Sequence, residues 1–78
     1  MITVKLFGLL RLDSGIRERQ LEAATVNEVF TQLLQETNRI TRKDLDGCVV
    51  MINGKPGSKR SKLTDGDQVV LLSPVAGG

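Results

Sequence analysis

The feature that most constrains the fold is a single amphipathic helical pattern that begins after Thr25. Apolar residues recur at helical spacing along one face of this segment: Val26, Val29, Phe30, Leu33 and Leu34. Thr25 is followed three residues later by Glu28, which is typical of a capping box, and we predict a helix that ends near Asn38. In a chain of 78 residues, the natural way to bury this one apolar face is to pack it against a sheet.

The N-terminal part of the chain predicts a β-hairpin. Residues 2–7 alternate apolar and polar side chains, which is typical of a half-buried strand. Asp13-Ser14-Gly15 favours a turn, because short polar side chains and glycine accommodate chain reversal. Residues 16–21 are then predicted to form a second strand with the polar character of a sheet edge.

The C-terminal half predicts two more strands and a second hairpin. Residues 48–52 form an apolar, β-branched run, and Asn53-Gly54 directly after it is a strong hairpin signal because both residues tolerate positive φ. Residues 64–67 form a tight turn before residues 68–73, whose consecutive apolar side chains favour a central strand. The polar segment 39–47 is interpreted as a connection with room for a second short helical turn.

These elements predict an α+β fold with β-grasp topology. One main helix packs across a mixed sheet of four to five strands, and the last strand lies in the middle beside the first. We expect residues 1–73 to form this one domain. Residues 74–78 are expected to form an extended, exposed tail, since Pro74 has no N–H with which to continue a ladder.

Composition fits an ordinary globular protein, with 40% hydrophobic and 26% charged residues. No apolar run approaches the ~18–20 residues that span a bilayer, and the N-terminus lacks a basic leader with a small-residue cleavage site. We therefore expect a cytoplasmic protein with no membrane partner.

The residues that usually perform catalysis are scarce. The chain has no histidine and one cysteine, Cys48, so the usual zinc and iron–sulfur ligand sets cannot be assembled. Cys48 stands at the head of an apolar run, and we interpret it as a packing residue. Neither a metal site nor a self-sufficient active site is expected, and function should lie on a surface or at a chain end.

One local excess of positive charge lies between residues 55 and 62. It consists of Lys55, Lys59, Arg60 and Lys62, with no acid among them. A solvated hairpin is the simplest interpretation, and an acidic protein partner remains an alternative. We do not expect nucleic-acid binding, because two Phe with no Tyr or Trp offer few platforms on which bases stack.

The C-terminus offers one reactive group. A terminal glycine presents its α-carboxylate without a neighbouring Cβ, so Gly77-Gly78 can pass through a narrow channel. With a pKa of about 3.3–3.7 this carboxylate is ionised at neutral pH and is a poor electrophile. Reaction with ATP would activate it as an acyl-adenylate, and a partner enzyme would have to supply the ATP and the catalytic groups.

Three motifs together resemble a known family. Residues 63–67 match an L-x-D-G-D turn before the last strand, residues 74–78 match a terminal Pro-Val-x-Gly-Gly, and Phe7 with Arg11 matches F-x-x-x-R. The sequence thereby resembles the MoaD/ThiS-like sulfur carriers, in particular the small subunit of molybdopterin synthase. That resemblance implies a ubiquitin-like β-grasp fold.

The resemblance also implies a reaction at Gly78. A ubiquitin-activating-like adenylyltransferase would adenylate the Gly78 carboxylate with ATP, and sulfur transfer would convert it to a thiocarboxylate. The thiocarboxylate would then donate sulfur inside the larger molybdopterin synthase subunit. The chain itself would bind no cofactor.

The remaining tail residues would guide this carboxylate to its partner. Gly77 would keep the tail slim and flexible, while Pro74, Val75 and Ala76 would line its path into the partner's active site. An apolar docking patch is predicted from three residues, Phe7, Leu72 and Val75. For Phe7 and Leu72, ordinary core packing is the alternative role.

Two positions depart from the family pattern. Ser73 stands where the molybdopterin group usually has an aromatic residue or proline, and Leu12 stands where many relatives have an acid. Three alternatives to molybdopterin synthesis therefore stay open. They are a thiamine-pathway sulfur carrier, a protein modifier joined to lysines through Gly78, and a regulatory or RNA-contacting β-grasp module that does not need the tail.

Overall fold

The computed structural model describes residues 1–73, in which a five-stranded mixed sheet carries three helices. In chain order the elements are β1 (Ile2–Phe7), α1 (Gly8–Ser14), β2 (Glu18–Leu21), α2 (Val26–Glu36), α3 (Arg42–Asp46), β3 (Val49–Ile52), β4 (Lys55–Gly57) and β5 (Gln68–Leu72). The strand order is β2-β1-β5-β3-β4. The strands β1 and β5 are parallel, and the other neighbours are antiparallel. The predicted β-grasp topology, with the last strand in the middle beside the first, is confirmed, and the other neighbour of the last strand is β3.

The helix α2 forms where the amphipathic pattern predicts it. The Thr25 hydroxyl accepts a hydrogen bond from the Glu28 N–H at 3.2 Å, which caps the first turn. The helix ends at Glu36, two residues before the predicted end, because Thr37 is already extended. The predicted short helical turn in segment 39–47 is α3, which is capped by a reciprocal pair of hydrogen bonds between Thr41 and Asp44.

One hydrophobic core lies between the helices and one face of the sheet. The buried side chains come from alternate positions on three strands, from all three helices and from the connections, and include Val4, Leu6, Leu10, Val29, Phe30, Leu33, Leu45, Val50, Val69 and Leu71. Strand positions in register share a face, so Leu6 and Leu71 both point towards the helices.

The strands β1 and β2 pair as the predicted hairpin, but the prediction of a turn at Asp13-Ser14-Gly15 as the connection is wrong in form, because residues 8–14 form the helix α1. Gly8, with φ of +65°, redirects the chain at the end of β1, and Leu10 then inserts into the core. Gly15, with φ of +74°, ends α1, and its N–H donates to the Arg11 carbonyl. The polar second strand is confirmed as the edge strand β2, but it begins at Glu18.

Both predicted C-terminal turns form. Asn53 and Gly54 have φ of 51° and 81°, as a two-residue type I′ hairpin between β3 and β4 requires. The turn at residues 64–67 is closed by a hydrogen bond from the Asp67 N–H to the Thr64 carbonyl at 3.0 Å. Across residues 1–73, no helix combines the length and the apolar character needed to cross a bilayer.

Asp67 joins these two turns. Its carboxylate accepts from the Thr64 N–H and from the Asn53 side-chain amide, each at 2.9 Å. The Asn53 amide oxygen in turn accepts from the Gln68 N–H at 2.9 Å. The hydrogen bonds to the carboxylate hold the pKa of Asp67 below its ordinary value, and the one from the Thr64 N–H has the largest effect.

We expect this network to make stability depend on pH. Since the folded-state pKa of Asp67 is depressed, its contribution is present above its unfolded pKa of about 4 and is lost as the pH falls through the lowered value. The variant Asp67→Asn should be less stable than the parent at pH 6 and should lose less stability between pH 5 and pH 2. Urea midpoints across this pH range test the expectation, and parallel curves for the two proteins would refute it.

Candidate functional site

The end of the central strand β5 is the point from which the predicted tail departs. Because β5 is parallel to β1, its last residue, Leu72, pairs with Phe7 at the end of β1. The residues predicted to form the tail lie outside the described residues and stay predictions: Pro74, Val75, Ala76, Gly77 and Gly78. The candidate site is therefore the surface around the end of β5 and Ser73, which we call the root of the tail.

Exposed apolar side chains form a row across the sheet at this root. Leu72 lies in register with Phe7 on one side and with Val49 of β3 on the other, so the three side chains share the face opposite the helices. Their exposed fractions are 39% for Phe7, 42% for Leu72 and 45% for Val49. We call these three residues the apolar row.

The face continues away from the tail with a second set of side chains. Lys5, Val70 and Met51 lie in register across the same three strands, and all three are half-buried. Although β5 is the central strand, Leu72 is not buried, because the helices cover only one face of the sheet. Core packing is therefore not the role of Phe7 or Leu72.

A shallow hollow beside the apolar row carries positive charge. It has a volume of about 380 Å³ and is lined by Lys5, Leu6, Phe7, Arg11, Arg17 and Glu18. Three cations face one acid there, so the hollow suits an acidic group of a partner. The two residues of the F-x-x-x-R motif, Phe7 and Arg11, are thus brought together by α1, which follows β1 directly.

Cys48 has the properties of a packing residue. Its half-buried side chain packs against the core, and burial raises the pKa of its thiol to about 11. The thiol is therefore protonated at neutral pH and is a weak nucleophile. Within the described part of the chain, no group of three or more His, Cys, Asp and Glu side chains is arranged to hold a metal ion.

The cation cluster lies at the opposite edge of the sheet, on β4 and the loop that follows it. All four residues of the cluster, Lys55, Lys59, Arg60 and Lys62, are exposed. The Lys59 ammonium lies 3.8 Å from the Asp46 carboxylate. The strand β3 lies between β4 and β5, so the cluster is not part of the surface around the tail root.

Comparison with known proteins gives one family and a set of structural relatives. The model of the ThiS family matches residues 4–78. Among curated protein sequences, none matches this chain.

Solved structures similar to this chain include proteins of two kinds. The small archaeal modifier protein 1 of Haloferax volcanii has a TM-score of 0.83 at 24% identity, over 99% of this chain and 98% of that chain. The small archaeal modifier protein 1 of Methanosarcina acetivorans has a TM-score of 0.76 at 26% identity, over 99% and 95%. A chain in the complex of subunits 1 and 2 of the molybdopterin-converting factor from Helicobacter pylori 26695 has a TM-score of 0.68 at 27% identity, over 99% and 97%.

Proposed function

This chain belongs to the ThiS family and is a MoaD/ThiS-like sulfur carrier with a ubiquitin-like β-grasp fold, and we propose that it carries sulfur for molybdopterin synthesis on the carboxylate of Gly78. The observation that carries the proposal is the apolar row at the end of β5. It gives a partner a place to bind directly beside Ser73, the last described residue before the segment 74–78. The tail then enters the partner's active site while the domain stays docked outside.

The chemistry follows from the nature of a terminal carboxylate. A carboxylate oxygen attacks the α-phosphate of ATP on the adenylyltransferase, a P–O bond forms, and pyrophosphate leaves. Hydrosulfide then attacks the carbonyl carbon of the adenylate, a C–S bond forms, and AMP leaves with the electron pair of the broken C–O bond. After loss of a proton the product is a thiocarboxylate. Its sulfur attacks an electrophilic carbon of the acceptor and displaces a leaving group from it, and water then cleaves the acyl C–S bond, which leaves the sulfur on the acceptor and restores the carboxylate.

The partner enzymes supply the ATP and the catalytic groups that the reaction at Gly78 needs. The described residues contain no metal-binding cluster, and the Cys48 thiol is protonated at neutral pH. The proposed role of a larger synthase subunit is supported by the Helicobacter relative, which forms a complex with a second subunit. The adenylyltransferase is proposed because a terminal carboxylate must be activated before it reacts. The basic hollow around Arg11 suits an acidic group on either partner.

The apolar row should be the energetic centre of this docking. We expect Leu72→Ala to weaken binding to the adenylyltransferase roughly tenfold, because anchors buried at an interface cost more than about 1 kcal/mol when truncated. The matched control is Leu12→Ala, which makes the same change at a leucine that is 71% exposed on α1. Isothermal titration calorimetry measures both, and equal affinities for the two variants would refute docking through the row.

A protein modifier is the second candidate, and the likeness to the Methanosarcina modifier favours it. In that case a lysine amine of a target protein, rather than hydrosulfide, attacks the activated Gly78, and an isopeptide bond forms. Both routes begin with the same adenylate, so the fold and the docking face serve either one.

Intact-mass spectrometry separates the two candidates. The chain is incubated with the ubiquitin-activating-like adenylyltransferase of the same genome, ATP and sulfide. The carrier gains the mass difference between sulfur and oxygen, whereas a modifier in a cell extract with ATP gives conjugates of higher mass. Conjugates without any sulfur exchange would overturn the carrier proposal in favour of the modifier.

A further inference from the structure

The root of the tail is held by a hydrogen bond between two distant parts of the chain. The Leu9 N–H donates to the Ser73 Oγ at 2.7 Å, across a separation of 64 residues. Ser73 is the residue directly after β5, and Leu9 lies in the first turn of α1. We propose that Ser73 is a positioning residue that sets the direction in which residues 74–78 leave the sheet, an inference that rests on the proposed function.

The hydrogen bond caps the N-terminus of α1. The first N–H groups of a helix have no partner within the helix, and a Ser, Thr, Asp or Asn side chain at the N-cap usually accepts from one of them. In α1 the N-cap residue is Phe7, whose side chain makes no such hydrogen bond. The Ser73 hydroxyl takes this role from the end of β5, so the start of α1 and the root of the tail are tied together.

Gly8 makes the approach of the two segments possible. Its φ of +65° is one that residues with a side chain rarely adopt. A Cβ at this position would lie 2.5 Å from the Ser73 Oγ and 3.6 Å from the Ser73 carbonyl oxygen. The α1 backbone therefore lies directly against Ser73 because residue 8 has no side chain.

The contact between Leu9 and Ser73 bears on where the reacting carboxylate can be placed. Five residues span at most roughly 17 Å when extended, so the direction at Ser73 restricts which points the Gly78 carboxylate can reach. The apolar row fixes the domain against the partner, and Ser73 fixes the tail root relative to that row. Restricting the orientation of a reacting group before the reaction lowers the entropy that must be lost in the transition state.

The test compares three variants in ATP–pyrophosphate exchange by the adenylyltransferase. Ser73→Ala should lower kcat about fivefold, which corresponds to one hydrogen bond of about 1 kcal/mol, and should change KM less than about twofold. Ser73→Thr retains the hydroxyl and should restore kcat. Ser61→Ala is the matched control, since the Ser61 Oγ accepts from the Ser58 N–H at 3.0 Å in the loop beyond the edge strand β4.

The outcomes separate this inference from the proposed function. Absence of exchange with the unaltered chain would reject the proposed function. Equal kcat values for Ser73→Ala and the parent, or an equal loss in Ser61→Ala, would reject the positioning role of Ser73. A measurement without the enzyme tests it as well: the ¹⁵N–¹H NOE of Val75 should fall in Ser73→Ala and not in Ser61→Ala, and an unchanged value would contradict the inference.

Discussion

Deleting Gly78 should abolish adenylation of the chain while its thermal unfolding midpoint stays within the error of the parent. The deletion leaves a carboxylate on Gly77, so charge and chemistry are kept, but the reacting group stops about 3.5 Å short. Reacting atoms must lie roughly 3–3.5 Å apart, and a shortfall of this size removes that geometry. Stability should not change, because all the core residues that the structure describes lie between Ile2 and Leu71.

The matched variant Gly78→Ala separates the effect of tail length from the effect of steric fit at residue 78. Gly78→Ala keeps the carboxylate at its full distance and adds only a methyl group beside it, so we expect reduced but measurable activation. Pyrophosphate release in the presence of ATP and the adenylyltransferase measures activation, and calorimetry measures the unfolding midpoint. Normal activation of the shortened chain would show that Gly78 is not the reacting residue.

Replacing Phe30 by alanine should lower the free energy of unfolding by about 3–5 kcal/mol. Phe30 lies in the middle of α2 and is 1% exposed, so truncation leaves a cavity between the helix and the sheet. In a domain whose total stability is about 5–15 kcal/mol, a loss of this size removes a large part of it.

The second phenylalanine of the chain is the control for this prediction. Phe7 lies on the open face of the sheet, and we expect Phe7→Ala to cost less than about 1 kcal/mol because the side chain is already partly hydrated. Urea unfolding of the two variants gives the comparison. Similar losses for Phe30→Ala and Phe7→Ala would contradict the arrangement in which the helices cover only one face.

The parts of the fold that the sequence predicts are those encoded by neighbouring residues. Thr25 and Glu28 lie within one helical turn of each other, and the apolar stripe that follows them has enough repeats to define a helix. The hairpin turn at Asn53-Gly54 is predictable because these two adjacent residues can adopt positive φ.

The parts that the sequence does not predict depend on contacts between distant residues. The helix α1 has seven residues, too few for a clear periodicity, and its first turn is capped by Ser73 from the other end of the chain. Gly15 at its end was a usable signal, since glycine frequently follows the last turn of a helix. Leu72 and Val69 are both apolar residues of the same strand, so the sequence does not distinguish them. Val69 is buried and Leu72 is exposed because the helices lie on only one face of the sheet.

The most direct test of the account locates the sulfur on the activated chain. After reaction with ATP, sulfide and the adenylyltransferase, fragment-ion mass spectrometry assigns the added mass to a residue. We predict that sulfur replaces oxygen in the C-terminal fragment that contains Gly78, and that the fragment containing Cys48 is unchanged. Sulfur found on Cys48, with an unmodified C-terminal fragment, would contradict the claim that the terminal carboxylate carries the reaction.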